Sequence, residues 1–250
     1  MFVKILNQDE RIKTGEYTFK KPINNVELLY RLIKADYQYD AVSIIIKEGQ
    51  DYRDIIDIIY NFKNIKKNYT REELIEILKQ KEGYLFPETY KFPPFANLDK
   101  ILKDIDNEFN QRIRQKYNLT EEELQRVLTI ASILEKEVQS KDDMKIVSGV
   151  IKNRLEKNMP LQMDSTLEYI INKSSSELTL KDLRIDSLYN TYKIKGLPVA
   201  PIGNPGQISI EAALNPDKND YLFFLTDKNG VNHYAKTYAE HLRNKKKYLD

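Results

Sequence analysis

Residues 120–138 read TEEELQRVLTIASILEKEV, and they decide the fold because they spell a capped amphipathic helix with a carboxylate on its apolar side. Thr120 followed by Glu123 is a capping-box signature, and Leu124, Val127, Leu128, Ala131, Leu134 and Val138 recur at helical spacing. Glu135 comes seven residues after Leu128 and four after Ala131, so it projects near the buried stripe while Lys136 points away. Glu137 falls further from the stripe's centre. A carboxylate against an apolar face costs free energy unless it is protonated, paired or used. Burial raises a Glu pKa, and an acid poised near neutrality is what glycosidic bond cleavage requires of a proton donor. On helix geometry alone, the commoner arrangement is a glutamate at the stripe's edge that reaches water.

Working outward, 250 residues suffice for one large domain or two small ones with a real core. The hydrophobic and charged fractions, 41% and 31%, are those of a globular chain rather than a disordered one. A net charge of +2, with no basic block beyond Lys245, Lys246 and Lys247, does not indicate a nucleic-acid partner. The absence of cysteine excludes disulfides and thiolate metal sites, and it fits an oxidising or extracytoplasmic compartment as readily as chance. No stretch approaches the ~18 apolar residues of a membrane span, and residues 1–11 lack a signal-peptide apolar region. The expectation is either a cytoplasmic protein or a chain that starts after a removed anchor.

The first third reads as small α/β units: a short strand at 16–19, a helix at 25–34, a β-branched strand at 41–47, and a helix at 51–62 after the Glu48-Gly49 turn. A second capping box, Thr70 with Glu73, opens a helix that runs through Leu78 towards Gly83. Residues 83–94 gather Tyr84, Phe86, Tyr90 and Phe92 with Pro87, Pro93 and Pro94, which predicts a stiff loop that stacks on sugars or, more simply, packs between domains. Helices are predicted at 98–119 and 144–157, the latter stopped by Pro160. Residues 196–206, GLPVAPIGNPG, hold six of the seventeen glycines and prolines and form a rigid loop. A hairpin is predicted from 221–226 and 232–235 around a turn at 228–230.

Several chemistries are set aside by what is missing. Gly203-Asn204-Pro205-Gly206 lacks the Lys and Ser or Thr of a phosphate loop, and His233 and His241 do not share a helix turn as a metal pair would. Neither histidine has a serine elbow to serve. No metal and no cofactor are therefore expected. Two polar segments remain, Gln162, Asp164, Ser165 and Thr166 after Pro160, and Tyr189, Asn190, Thr191 and Tyr192 before the Gly/Pro loop. Each is compatible with ordinary turn chemistry.

Together, EGYLFPETY (82–90), ASILEKE (131–137), NRLEKNMPLQMDST (153–166), YNTY with GLP and NPG (189–206) and HYAKTYAEH (233–241) resemble the endolytic murein transglycosylases, the MltG or YceG-like family. The segment VSIIIKEG with the helix behind it is similar to that family's LysM-like module. Departures are confined to loops: Val199 and Gly203 stand where proline and alanine are usual, and Met163 replaces the usual threonine before Asp164. The family's members usually begin with a single transmembrane anchor and further residues before the GEYTF segment; with that segment at 15–19, the expectation is a truncated soluble part.

The resemblance implies an α+β fold, with a LysM-like α/β module at 1–81, truncated at its N-terminal side, and a larger mixed α/β catalytic domain at 82–250. It implies cleavage of the β-1,4 bond between N-acetylmuramic acid and N-acetylglucosamine to leave 1,6-anhydro ends, with Glu135, first acid of the EKE motif, as general acid and then base. Gln162 and Asn190 would hydrogen-bond the N-acetyl groups or Glu135, and Tyr189 and Tyr192 would stack on a sugar ring. Asp164, Thr166, Thr191 and Asn204 join this substrate-binding set by motif membership. The implied partners are peptidoglycan glycan strands and cell-wall synthesis or division proteins. The implied location is the outer face of the cytoplasmic membrane, reached only through an anchor absent from this chain. The competing reading is an inactive peptidoglycan-binding module on the same scaffold.

Overall fold

A computed structural model of the chain describes residues 17–19, 21–34, 36 and 40–249. The architecture is α+β: helices dominate, and the described strands make two separate two-stranded antiparallel sheets. Of the expected strand at 16–19, Glu16 lies outside the described residues and 17–19 take no regular structure. Helix α1 (Asn25–Lys34) forms as read. Strand β1 (Val42–Ile45) pairs with β2 (Thr89–Phe92), Val42 opposite Phe92 and Ile45 opposite Thr89. The loop expected at 83–94 is thus corrected in its centre. Alternation turns Tyr90 and Phe92 inward and Thr89 and Lys91 outward, and Pro93 and Pro94 end the strand because they cannot donate to a ladder.

Helices α2 (Tyr52–Ile59), α3 (Lys63–Asn68) and α4 (Arg71–Lys79) cover this sheet, and full capping boxes fix the starts of α2 at Asp51/Asp54 and α4 at Thr70/Glu73. One buried cluster joins Ile44, Ile55, Ile59, Leu74 and Leu78 to Leu85, Phe92, Ile101 and Ile105, drawing on both sides of position 81. Helix α5 (Leu98–Phe109) supplies the last two. It continues through a π segment (Asn110–Arg114) and one further turn to Asn118, whose left-handed φ of 46° stops it.

Helix α6 (Glu121–Glu137) starts as the capping box predicts, with Thr120 Oγ1 accepting from Glu123 N–H and the Glu123 carboxylate accepting from Thr120 N–H. Its stripe is buried, but so are Thr129, Ile130, Ser132 and Ile133. The reason is that α7 (Lys141–Glu156), α8 (Asp164–Ile171) and α9 (Gln207–Leu214) all pack against it. Helix α7 begins one turn earlier than the apolar spacing predicts, because Ser140 Oγ accepts from Asp143 N–H at 3.1 Å. The predicted hairpin forms from β3 (Phe223–Thr226) and β4 (Asn232–Ala235), and α10 (Tyr238–Tyr248) lies on it.

Close approach of α7 to the segment before β3 depends on Gly149. A Cβ there would lie 2.3 Å from the Asp217 carbonyl oxygen and 2.4 Å from Asn219 Nδ2, and Asn219 Nδ2 itself donates to Ile146 O at 3.1 Å. Gly149→Ala is expected to cost ~1–3 kcal/mol by overpacking, seen as a lower urea midpoint. An unchanged midpoint would show that the 217–219 segment yields freely.

Candidate active site

Glu135 and Glu137 leave the end of α6 on opposite flanks, because two residues turn a helix by ~200°. Glu135 faces the Gly/Pro loop. Its Oε2 accepts Gly206 N–H at 3.0 Å, and its Cγ lies 3.4 Å from where a Cβ of Gly49 would be. A Cβ on Gly206 would collide with the Glu48 carboxylate, so Glu48 and Glu135 flank one glycine. Burial, and then the Glu135 charge, push the Glu48 carboxyl above the usual range.

Asn204 fastens this junction. It is 0% exposed. Its Oδ1 accepts the N–H groups of Gly83 and Leu85, both at 2.9 Å, and its Nδ2 donates to Gln50 O at 3.0 Å and Glu82 Oε1 at 2.9 Å. Gly49 N–H donates to its carbonyl and its own N–H donates to Gln50 O. Glu82 is also buried, accepts from Tyr52 N–H and Tyr169 O–H, and has its carboxyl pushed up to about 8, chiefly by burial. Asn204→Ala strips two buried backbone donors of their acceptor at a cost of ~1–3 kcal/mol each at most, so a thermal midpoint lowered by several degrees is expected. A midpoint within a degree or so of wild type would refute this fastening role.

On the other flank, Glu137 Oε1 accepts Ser165 Oγ at 2.6 Å. Burial pushes its carboxyl up, Ser165 opposes the shift, and the Asp164 and Glu168 charges add to it. Glu137 lines a cavity of about 440 Å³ together with Gln162, Asp164 and Tyr192. Such a volume lies in the range of small-ligand sites, ~300–1,000 Å³. Tyr192 O–H donates to Asp164 Oδ1 at the rim. Gln162 holds a left-handed φ of 52°, a conformation costly for a long side chain.

The sequence therefore brings Gln162, Asp164 and Tyr192 together, but beside Glu137 rather than Glu135. The other predicted contacts lie elsewhere. Thr166, Asn190 and Thr191 are 0% exposed. Asn190 Nδ2 donates to Leu183 O and Ile185 O, and its Oδ1 accepts Tyr192 N–H. Thr191 Oγ1 accepts Met163 N–H at 2.9 Å and lies 3.0 Å from Thr166 Oγ1. With no surface to offer, Thr166, Asn190 and Thr191 brace the segments at 162–166 and 183–192 beside the cavity, while Asn204 braces the opposite flank. Tyr189 packs its ring on Tyr169, 5.1 Å between centroids.

Glu137, which the sequence ranks behind Glu135, is the one of the two acids that lines this cavity. Distance from an apolar stripe ranks the two acids, and that ranking loses meaning on a helix whose residues 127–134 are buried all round. Arg154 and Phe223, which also line the cavity, carried no local signal. Among the described residues, no group of three or more His, Cys, Asp or Glu is arranged to hold a metal ion.

The sequence profile of the YceG-like family matches residues 1–247. A Bacillus subtilis protein named endolytic murein transglycosylase is 43% identical over 172 residues, 67% of this chain and 48% of its own length. A Streptococcus pneumoniae protein of the same name is 35% identical over 175 residues, 65% of this chain and 31% of its own. This chain thus spans about half the length of the first relative, or less of the second. The crystal structure of a YceG-like protein from Listeria monocytogenes superposes with a TM-score of 0.71 at 31% identity, covering 97% of this chain and 88% of that one. With the profile and the superposed fold each covering nearly all its length and the motifs agreeing over 82–241, the chain belongs to the YceG-like family.

Proposed function

We propose that the protein is an endolytic murein transglycosylase that uses Glu137 as its single acid and base. The observation that carries this reading is the meeting, in one cavity, of a carboxyl raised by burial with Gln162, Asp164 and Tyr192. Its relatives' names supply the substrate, peptidoglycan. Ser165 occupies Glu137 Oε1, which leaves Oε2 for the reacting proton.

Protonated Glu137 gives its proton to the glycosidic oxygen, the bond to the muramyl C1 breaks, and the ring flattens towards an oxocarbenium-like state. The carboxylate then takes the proton of the muramyl C6 hydroxyl, whose oxygen closes on C1. The product is a 1,6-anhydro end, and no water is consumed. The nucleophile belongs to the substrate, so a second carboxylate to activate water is not required. Asp164 and Gln162 orient the sugar, Tyr192 stacks or hydrogen-bonds beside it, and Thr166, Asn190, Thr191 and Asn204 position the loops. Because murein lies outside the cytoplasmic membrane, that is where the reaction takes place, next to the cell-wall synthesis or division proteins. Among the described residues, no helix is long and apolar enough to cross a membrane.

Glu135 is the second reading for the acid, favoured by its place in the ASILEKE motif and by its position against Gly206 of the Gly/Pro loop. Incubation with purified peptidoglycan tests the reaction. New chain ends one water lighter than reducing ends, detected by mass spectrometry, are expected; sedimentation with the sacculus and no new ends would show an inactive binder instead.

A further inference from the structure

The cavity beside Glu137 has a second wall that proton transfer leaves unused. Arg154 is 6% exposed, and its guanidinium donates to the carbonyl oxygens of Leu222 at 2.6 Å, Leu161 at 2.7 Å and Pro160 at 3.1 Å, with Gln162 Oε1 at 3.4 Å. Among the described residues no carboxylate forms an ion pair with it. A buried guanidinium met only by carbonyl dipoles keeps its full positive charge at the cavity wall. The Phe223 ring lies 5.0 Å beneath it, and His241 stacks on the same ring, 5.4 Å between centroids. His241 Nδ1 is buried and has no hydrogen-bond partner. Lys245, one turn further along α10, lines the cavity with them.

These groups share one demand. An orphaned ring nitrogen, a guanidinium without a counter-ion and an ammonium call for a compact acceptor of negative charge, and the aromatic floor calls for one borne on an apolar stem. The acidic groups of the cavity, Glu137 and Asp164, are already engaged by Ser165 and Tyr192. On murein the peptide stem leaves the muramyl ring whose C1 is attacked, so its carboxylates travel within reach of any cavity that holds that ring.

We propose that Arg154, His241 and Lys245 form a subsite for a carboxylate of that peptide stem, and that the enzyme thereby reads stem-bearing strands. The inference rests on the Glu137 reading. A bound carboxylate would complete the Arg154 ion pair and give His241 Nδ1 its missing partner, while Lys245, on the open side, would add attraction without a fixed geometry.

The test compares kcat/KM on intact strands with kcat/KM on strands whose stems an amidase has removed. Wild type is expected to prefer intact strands. Lys245→Glu is expected to lower that preference about tenfold and His241→Phe, which keeps the stacking, by a few-fold. Lys103→Glu on the far helix α5 serves as the charge control and should keep the preference of wild type. Equal kcat/KM on the two substrates for wild type would overturn the inference, as would a Lys245→Glu variant whose preference matches wild type. Glu137→Gln separates the two readings: if it stays active while the stem preference behaves as stated, the acid assignment fails and the subsite stands.

Discussion

Glu137→Gln is expected to lower turnover on purified peptidoglycan by about 10²- to 10⁴-fold and to leave the thermal midpoint near that of wild type. The amide oxygen can still accept from Ser165 Oγ, as Glu137 Oε1 does at 2.6 Å, so shape and packing survive while the transferable proton is lost. Glu135→Gln should keep most of its turnover, because the amide oxygen can still receive Gly206 N–H. A reversal of that ranking in paired assays would hand the role to Glu135. The pH profile supplies a second check. Since burial raises the Glu137 carboxyl, its acid form persists above the usual carboxylate range, and activity should decline only as pH rises through that raised value.

Stability should fall as pH rises from about 5 to about 9, and Glu82 is the cause. Its folded-state value of about 8 exceeds the 4.5 of the free group, so between the two the native state holds a proton that the unfolded chain has lost. The contribution is therefore complete below the unfolded value and lost as pH passes the folded one, with an upper figure of roughly 4 to 5 kcal/mol. Glu82→Gln should flatten this slope. It should also cost ~1–3 kcal/mol at acidic pH, because its amide group must face either Tyr52 N–H or Asn204 Nδ2, both donors. Urea midpoints across the range decide the matter; parallel slopes for the two proteins would clear Glu82.

Local chemistry made much of the fold legible. The capping boxes at Thr70 and Thr120 start their helices where the sequence places them, and the β3–β4 hairpin forms around its predicted turn. The α+β class and the family were both readable from ordered motifs. The start of α10 carries the same Thr-x-x-Glu signal at Thr237 and Glu240. What could not be read were properties of distant partners. β2 declares itself only against β1, and the burial of Asn190, Thr191 and Asn204 follows from loops folding onto one another rather than from their own residue types. The Glu137 proposal rests on which flank of α6 opens to a cavity, and helical periodicity carries no record of that.

Asn204 also has a bearing on how the chain reaches its native state. Its side-chain bonds join residues 119 to 154 positions apart, so the intervening loop must close before any of them can form. Contacts of such high sequence separation belong late on a folding route. The pairing of β1 with β2 and the cluster spanning Ile44 to Ile105 can form earlier, within the first half of the chain. Refolding watched by far-UV circular dichroism should then show secondary structure recovering ahead of the last increment of thermal stability. A peptide ending near residue 81 would keep β1 but lose β2, α5 and the asparagine that bolts the Glu48-Gly49 turn, and it should refold poorly on its own.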